Sequence, residues 1–189
     1  MQILFVNCCF REMSRTKRLA EKVLEHLQGN IVTLDLNSEH IEPLGKESHA
    51  ERDKATHSED WEHPMLRYAH QFAAADEIVI AAPFWDLAFP ALLKAYIEAV
   101  TVSGITFKYI DGIPHGLCNA KRLIYVTTAG GPVFADFGFS YIKTLAESFY
   151  GIPEVKCFRA ENLDMIGANV EEILQQTEED IGDYFCDKV

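Results

Sequence analysis

Hydroxyl and cationic side chains are concentrated in the segment from Asn7 to Thr16. Ser14 and Thr16 stand where a helix could begin, with Arg11 and Arg15 close by. Free amides at a helix N-terminus, combined with hydroxyls and guanidinium groups, can form a phosphate cradle. Ser14 or Thr16 could equally be an ordinary N-cap, so the residues alone leave both interpretations open. The glycines of a dinucleotide-binding or P-loop fingerprint are absent from this segment, which argues against those two classes.

Aromatic side chains and one carboxylate lie between two prolines over residues 83–90, which read Pro-Phe-Trp-Asp-Leu-Ala-Phe-Pro. Proline fixes the backbone dihedral φ, so this segment is expected to be stiff. A rigid backbone that carries Phe84, Trp85 and Asp86 suits the face and edge of a flat heteroaromatic ring. The same aromatic residues could instead pack as a satellite of the core, and this alternative also stays open.

Two adjacent glycines, Gly130 and Gly131, follow a pair of threonines in the segment from Thr127 to Pro132. Because glycine has no Cβ, its backbone can approach a ligand closely. A plain strand-to-helix turn would use the same residues.

Near-continuous apolar runs alternate along the chain with segments of helical apolar spacing. Runs of this kind, rich in β-branched residues, are typical of strands buried on both faces of a parallel sheet. The predicted strands are 3–6, 31–34, 77–82, 123–128 and 155–158. The predicted helices are one that begins at Ser14 or Thr16 and stops at Gly29, and four more over 61–75, 90–102, 139–150 and 170–185. Residues 39–60 are polar and are expected to form a long loop.

This alternating order predicts an α/β three-layer sandwich, in which a parallel sheet of five strands carries helices on both faces. Five strands suit the flavodoxin-like order 2-1-3-4-5, whose ligand lies outside the carboxyl ends of the strands. The three segments described above follow the first, third and fourth strands, so they are expected to meet at one edge. No internal repeat or linker interrupts the sequence, and residues 1–189 are expected to form a single domain.

The chain is acidic, since 29 Asp and Glu residues outnumber 17 Lys and Arg residues and give a formal net charge of −12. Nucleic acids and anionic membranes bind clustered Lys and Arg, so this charge argues against both as partners. The five cysteines are odd in number and form no Cys-x-x-Cys pair, which favours reduced thiols and a cytoplasmic location. The initial apolar run is too short for a signal peptide, and no apolar stretch approaches the roughly 20 residues that span a bilayer.

Histidines are frequent in the polar region between residues 40 and 70, but they lack the close spacing of metal ligands. No metal site is therefore predicted. His115 lies in the segment 109–117, which could lie over the active site and contact a substrate.

Several segments resemble the family of FMN-dependent NADH-azoreductases and NAD(P)H:quinone oxidoreductases. The resemblance covers most of the chain, is strongest over residues 81–131 and is weak over 39–61. The matching segments, in chain order, are Ala-Ala-Pro-Phe-Trp at 81–85, Leu-Lys-Ala-Tyr-Ile at 93–97, Gly-Ile-Thr-Phe-Lys-Tyr at 104–109, the stretch 112–116, Lys121, and Thr-Thr-Ala-Gly-Gly at 127–131. The Gly-x-Thr-Phe-x-Tyr segment is the most specific of them.

The resemblance implies a flavodoxin-like homodimer that binds FMN at the dimer edge and transfers hydride by a ping-pong mechanism. Carried over by position, it implies that Ser14 and Thr16 hold the FMN phosphate, beside the cationic Arg15. The residues that would border the isoalloxazine are Pro83, Phe84, Trp85, Asp86 and Leu87, and those that would approach its polar edge are Thr128, Gly130 and Gly131.

Three positions in these loops depart from the family pattern. Cys8 stands where the family has a serine, and a thiol is the weaker hydrogen-bonding group. Asp86 replaces an asparagine near the ring; an ionised carboxylate cannot donate a hydrogen bond and would disfavour negative charge on a reduced flavin. Ala129 precedes the paired glycines, where the family often has a polar or basic residue. These changes bear on the substrate more than on the fold or the flavin site.

The sequence therefore predicts an FMN-dependent oxidoreductase that passes hydride from NAD(P)H to a small acceptor. The acceptor could be a quinone or an azo compound. No protein side chain is predicted to be catalytic, because the flavin carries the redox chemistry and solvent can supply protons. The alternatives are an electron carrier or flavin-binding module without nicotinamide turnover, and a protein of this fold that has lost FMN. The large aromatic residues Trp85, Phe89 and Phe107 also suggest a homodimer, because exposed apolar patches mark interfaces.

Overall fold

A computed structural model of the chain describes residues 1–187, so residues 188 and 189 of the predicted domain lie outside the described part. Its main sheet contains five parallel strands in the order β2-β1-β3-β6-β7, and a separate hairpin pairs β4 with β5. The strands are β1 (Gln2–Asn7), β2 (Asn30–Asp35), β3 (Glu77–Ala81), β4 (Phe107–Ile110), β5 (Ile113–Gly116), β6 (Arg122–Thr128) and β7 (Glu154–Ala160). Counted along the main sheet, this is the predicted order 2-1-3-4-5, and all five predicted strands are confirmed.

Helices cover both faces of the main sheet. They are α1 (Arg15–Glu25), α2 (Lys46–His57), α3 (Arg67–Ala74), α4 (Ala91–Val100), α5 (Phe137–Leu145) and α6 (Val170–Cys186). Successive side chains of a strand point to opposite faces. In β1, Ile3 and Phe5 pack in the cluster that includes residues of α1 and α6, whereas Leu4 and Val6 pack in the cluster that includes residues of α3, α4 and α5. The predicted flavodoxin-like sandwich is confirmed.

The structure differs from the sequence prediction over residues 39–60, which were expected to be a loop. Helix α2 occupies twelve of these residues. Its sequence, Lys-Glu-Ser-His-Ala-Glu-Arg-Asp-Lys-Ala-Thr-His, has no apolar stripe, and only Ala55 among its side chains is buried. The helix begins after Gly45, whose amide donates to the Ser48 hydroxyl at 2.9 Å. A search for apolar spacing cannot detect a helix of this kind.

The β4–β5 hairpin lies at the amino edge of the main sheet, where the parallel strands begin. Gly116 is packed so closely on the backbone of Tyr150 and Gly151 that a Cβ there would overlap it. After the hairpin, the amide of Lys121 donates to the carbonyl of Asp76 at 3.0 Å. Asp76 lies just before the start of β3, so this contact is also at the amino edge. His115 on β5 thus lies, within this chain, at the opposite edge from the loops after β1, β3 and β6, and its contact with a substrate stays a prediction.

Candidate active site

A cavity of about 330 Å³ opens at the carboxyl edge of the main sheet. The loops after β1, β3 and β6 all contribute to its wall, as the topology predicts, and so does the loop after β7. The predicted site residues on the wall are Ser14, Arg15, Thr16, Pro83, Phe84, Trp85, Thr128, Ala129 and Gly130. Arg11, considered from the sequence as part of a phosphate cradle, is also on the wall, and the wall residues that were not predicted are Phe10, Met13, Leu163 and Asp164.

The N-terminus of α1 forms one end of the cavity. Ser14 is the N-cap, and its hydroxyl accepts the amide of Lys17 at 3.2 Å. The ordinary capping role is therefore present, while the first amides of the helix still lack intrahelical acceptors. Thr16 is buried and its hydroxyl shares a hydrogen bond of 2.6 Å with the hydroxyl of Thr128. This contact joins the first and third loops across the floor of the cavity.

The loop after β3 is a tight two-residue turn. Trp85 and Ala88 exchange two backbone hydrogen bonds, at 3.2 and 2.8 Å, around Asp86 and Leu87. Both central residues have positive φ, 50° and 65°, as in a type I′ hairpin turn. Glycine is favoured at the second of these positions, so the leucine there holds about 1 kcal/mol of backbone strain. The carbonyl of Leu87 accepts the amide of Phe137 at 2.9 Å, which anchors the turn to α5.

An aromatic pair stands beside the cavity mouth. The rings of Phe10 and Trp85 are stacked, with centroids 5.1 Å apart and planes inclined by 13°. Their exposed fractions are 48% and 45%, so each ring keeps a surface available to a ligand. The ring of Trp85 thus presents a flat surface at the cavity mouth, and its contact with a flavin stays a prediction. Phe10 was not predicted as a site residue, although it lies in the predicted first loop.

The Gly-Gly loop after β6 is tied to the loop after β7 by backbone hydrogen bonds. The carbonyl of Gly130 accepts the amide of Asp164 at 2.8 Å, and that of Ala129 accepts the amide of Leu163 at 3.2 Å. A Cβ on Gly130 would lie 2.4 Å from a carboxylate oxygen of Asp164, so a larger residue there would displace that side chain. Asp164 was missed because sequence reasoning considered only three loops; its place directly after the fifth strand of the sheet is the signal that could have found it.

An ionic network supports the continuation of the Gly-Gly loop. Arg159 on β7 is paired with Asp136 and, at 3.4 Å, with Glu161. The second carboxylate oxygen of Glu161 accepts the amide of Val133 at 2.9 Å. Asp136 also caps α5, because its Oδ1 accepts two amides of the first turn at 2.9 and 2.8 Å. The loop is thus held from β7 and from α5 together.

Four predicted residues do not line the cavity. Asp86 is exposed in the tight turn, Leu87 is half-buried there, and Gly131 lies in the loop beyond the wall. Cys8 is fully buried in the core, and burial raises the pKa of its thiol to about 12. The departures from the family at Cys8 and Asp86 therefore lie in the core and at the surface, and not on the cavity wall. Ala129, the third departure, is on the wall but buried.

Within residues 1–187, no group of three or more His, Cys, Asp or Glu side chains is arranged to hold a metal ion. None of the helices described for these residues is long and apolar enough to cross a membrane.

Comparison with known proteins identifies the family. The family model for the flavodoxin-like fold matches residues 1–185. An FMN-dependent NADH:quinone oxidoreductase from Clostridium perfringens is 39% identical over 171 residues, which cover 86% of each chain. The chain belongs to the flavodoxin-like family of FMN-dependent NADH:quinone oxidoreductases. The resemblance seen in the sequence is thereby confirmed.

Solved structures agree on the fold. An azoreductase from Bacillus anthracis matches with a TM-score of 0.85 over 97% of this chain and 98% of its own, at 24% identity. An FMN-dependent NADH-azoreductase from the same organism, solved in complex with FMN, matches with a TM-score of 0.83 over 98% of each chain, at 20% identity. Likeness at these identities establishes the shared architecture.

Proposed function

We propose that this chain is an oxidoreductase that binds FMN in the cavity at the carboxyl edge and passes hydride from NADH or NADPH to a small acceptor such as a quinone. The observation that carries the proposal is the convergence of a helix N-terminus, a flat aromatic wall and a glycine loop on one cavity. The family relatives, named for FMN dependence and quinone reduction, support the same assignment.

The residues present fit an FMN molecule. Ser14 and Arg15, with the first amides of α1, offer hydrogen-bond donors and a positive charge to a phosphate. Phe84 and Trp85 offer flat apolar surface to a fused ring, and the backbone at Gly130 can approach the ring's polar edge. A cavity of about 330 Å³ is within the usual range of cofactor sites. When bound, FMN would supply two-electron redox chemistry that protein side chains lack.

The protein's own part is to position the two substrates. The exposed ring of Phe10 stands beside the cavity mouth, where a nicotinamide and then a quinone could stack in turn. One shared face for donor and acceptor requires the first product to leave before the second substrate enters, which is a ping-pong order. We assign no side chain as a general acid or base, because solvent has access to this edge.

Steady-state kinetics test the proposal. NADH or NADPH and a small benzoquinone are varied together in the absence of oxygen, with the full chain loaded with FMN. We expect oxidation of the nicotinamide that depends on the quinone, with parallel double-reciprocal lines. Intersecting lines would contradict the shared face, and absence of turnover with both nicotinamides would contradict the enzymatic assignment.

The alternative, an electron carrier that binds flavin without nicotinamide turnover, is favoured by the net charge of −12, which suits docking to a basic partner. The same assay separates the two functions, since a carrier would hold flavin but leave NADH and NADPH unoxidised.

The single domain, the homodimer and the cytoplasmic location remain proposals. The aromatic argument for a dimer changes, because Phe107 is buried and Phe89 is half-buried, whereas Trp85 is exposed. The exposed apolar residues that surround the cavity edge are instead Phe10, Met13, Trp85, Phe134, Phe137, Met165 and Ile166. A sedimentation mass near one 21.4 kDa chain at micromolar concentration would contradict the dimer.

A further inference from the structure

An ion pair joins the two sides of the cavity end at which a phosphate would bind. Arg15, the first residue of α1, donates from Nη1 to Oδ1 of Asp164 at 2.8 Å. The same nitrogen lies 3.4 Å from the carbonyl oxygen of Leu163. The pair links the helix N-terminus to the loop after β7, which are 149 residues apart in sequence. Its side chains are 40% and 70% exposed.

The two partners differ in how firmly they are held. Asp164 is fixed at its backbone by the hydrogen bond to Gly130, and its carboxylate packs directly on that glycine. The guanidinium of Arg15 is carried by a long side chain with several rotatable bonds. An exchange of partners would therefore take place by rotation of Arg15, while Asp164 stays in place.

The charges on the cavity wall distinguish Arg15, because it is a wall cation that is already paired with a wall carboxylate. Among the described residues of the wall, the cations are Arg11 and Arg15 and the anion is Asp164. The hydroxyl of Thr16 is already bonded to Thr128, whereas that of Ser14 accepts an amide and keeps its proton to donate to a phosphate. A guanidinium binds a carboxylate and a phosphate with the same planar donor geometry, so both compete for Arg15.

We propose that Asp164 is an internal competitor of the phosphate for Arg15 and thereby sets the selectivity between FMN and flavins that lack a phosphate. This inference rests on the proposed function, in which FMN places its phosphate at the N-terminus of α1. Binding of FMN transfers Arg15 from the carboxylate to the phosphate, whereas binding of riboflavin leaves the ion pair intact.

Equilibrium titration of the flavin-free full chain with FMN and, separately, with riboflavin tests the inference. Asp164→Asn keeps the size of the side chain and its backbone contact but removes the charge. We expect this change to tighten FMN binding roughly two- to fivefold, the size of one partly exposed ion pair, and to leave riboflavin binding unchanged. Glu25→Gln is the matched control, because it removes a carboxylate paired with Lys22 at the far end of the same helix and should leave both affinities unchanged.

The same substitution in an Arg15→Gln chain shows whether Arg15 mediates the change in FMN affinity. In an Arg15→Gln chain, FMN should bind more weakly, and adding Asp164→Asn should give no further gain. The inference is overturned if Asp164→Asn weakens FMN binding or leaves it unchanged, if riboflavin gains equally, or if the gain persists without Arg15, which would mean direct repulsion. Failure of the proposed function looks different, since the unaltered chain would then bind neither flavin.

Discussion

The strongest test of how the cavity loops are held is the removal of the Asp136 carboxylate. This side chain accepts two amides at the start of α5, at 2.9 and 2.8 Å, and also pairs with Arg159. Loss of an N-cap costs about 1 kcal/mol. Loss of the ion pair leaves the guanidinium with Glu161 at 3.4 Å as its remaining carboxylate partner, and partial exposure of the pair reduces this second contribution to about 1 kcal/mol. Asp136→Ala should therefore lower the free energy of unfolding by about 2 kcal/mol.

Two matched variants divide this loss. Asp136→Asn keeps an oxygen that can cap α5 but removes the charge, so we expect about half of the effect. Ser140→Ala removes only an exposed hydroxyl that donates to the carbonyl of Asp136 at 2.6 Å, and should change stability by less than about 0.5 kcal/mol. Urea denaturation of the flavin-free chains measures all three. If the free energy of unfolding of Asp136→Ala lies within about 0.5 kcal/mol of that of the unaltered chain, the network does not hold the loop and this reasoning is refuted.

Three further predictions concern the loops and the buried thiols. Ser14→Ala should weaken FMN binding and destabilise α1 by about 1 kcal/mol, as measured by flavin titration and urea denaturation. An unchanged FMN affinity would show that the phosphate does not bind at Ser14. Asp86→Asn should leave the midpoint potential of bound FMN nearly unchanged in a potentiometric titration, because the carboxylate is exposed and off the cavity wall; a large rise would place it beside the ring. A thiol reagent at pH 8 should modify the exposed Cys186 quickly in the native chain and the other four cysteines slowly. The reason is that burial raises the thiol pKa to about 11 for Cys9 and to about 12 for Cys8, Cys118 and Cys157. The unfolded chain ionises these thiols from about pH 8.5, before the native chain does, so the free energy of unfolding should fall as the pH rises past that value.

The central sheet could be predicted because its strands are buried on both faces. The run Ile78-Val79-Ile80 is apolar throughout, and each of its residues is almost fully buried. Helix α2 and the β4–β5 hairpin could not be predicted in the same way. The first has no apolar face, and most side chains of the second are exposed, so neither leaves a periodic signal.

The site was predictable to the level of loops and not of side chains. Parallel topology alone brings the segments after β1, β3 and β6 together, which is why Ser14, Trp85 and Gly130 were found. The orientation of Cys8 follows from strand alternation, because it continues the face of Leu4 and Val6 into the core. The pairing of Arg15 with Asp164 depends on two loops distant in sequence, and no local pattern encodes it.

FMN binding is measured most directly by the flavin content of the purified full chain. Absorbance spectroscopy before and after heat release of the cofactor, followed by titration of the stripped chain with FMN, gives both identity and stoichiometry. We expect a yellow protein that carries FMN and rebinds close to one FMN per chain, with weaker binding in Ser14→Ala. A colourless chain whose spectrum and FMN fluorescence stay unchanged throughout the titration would contradict it.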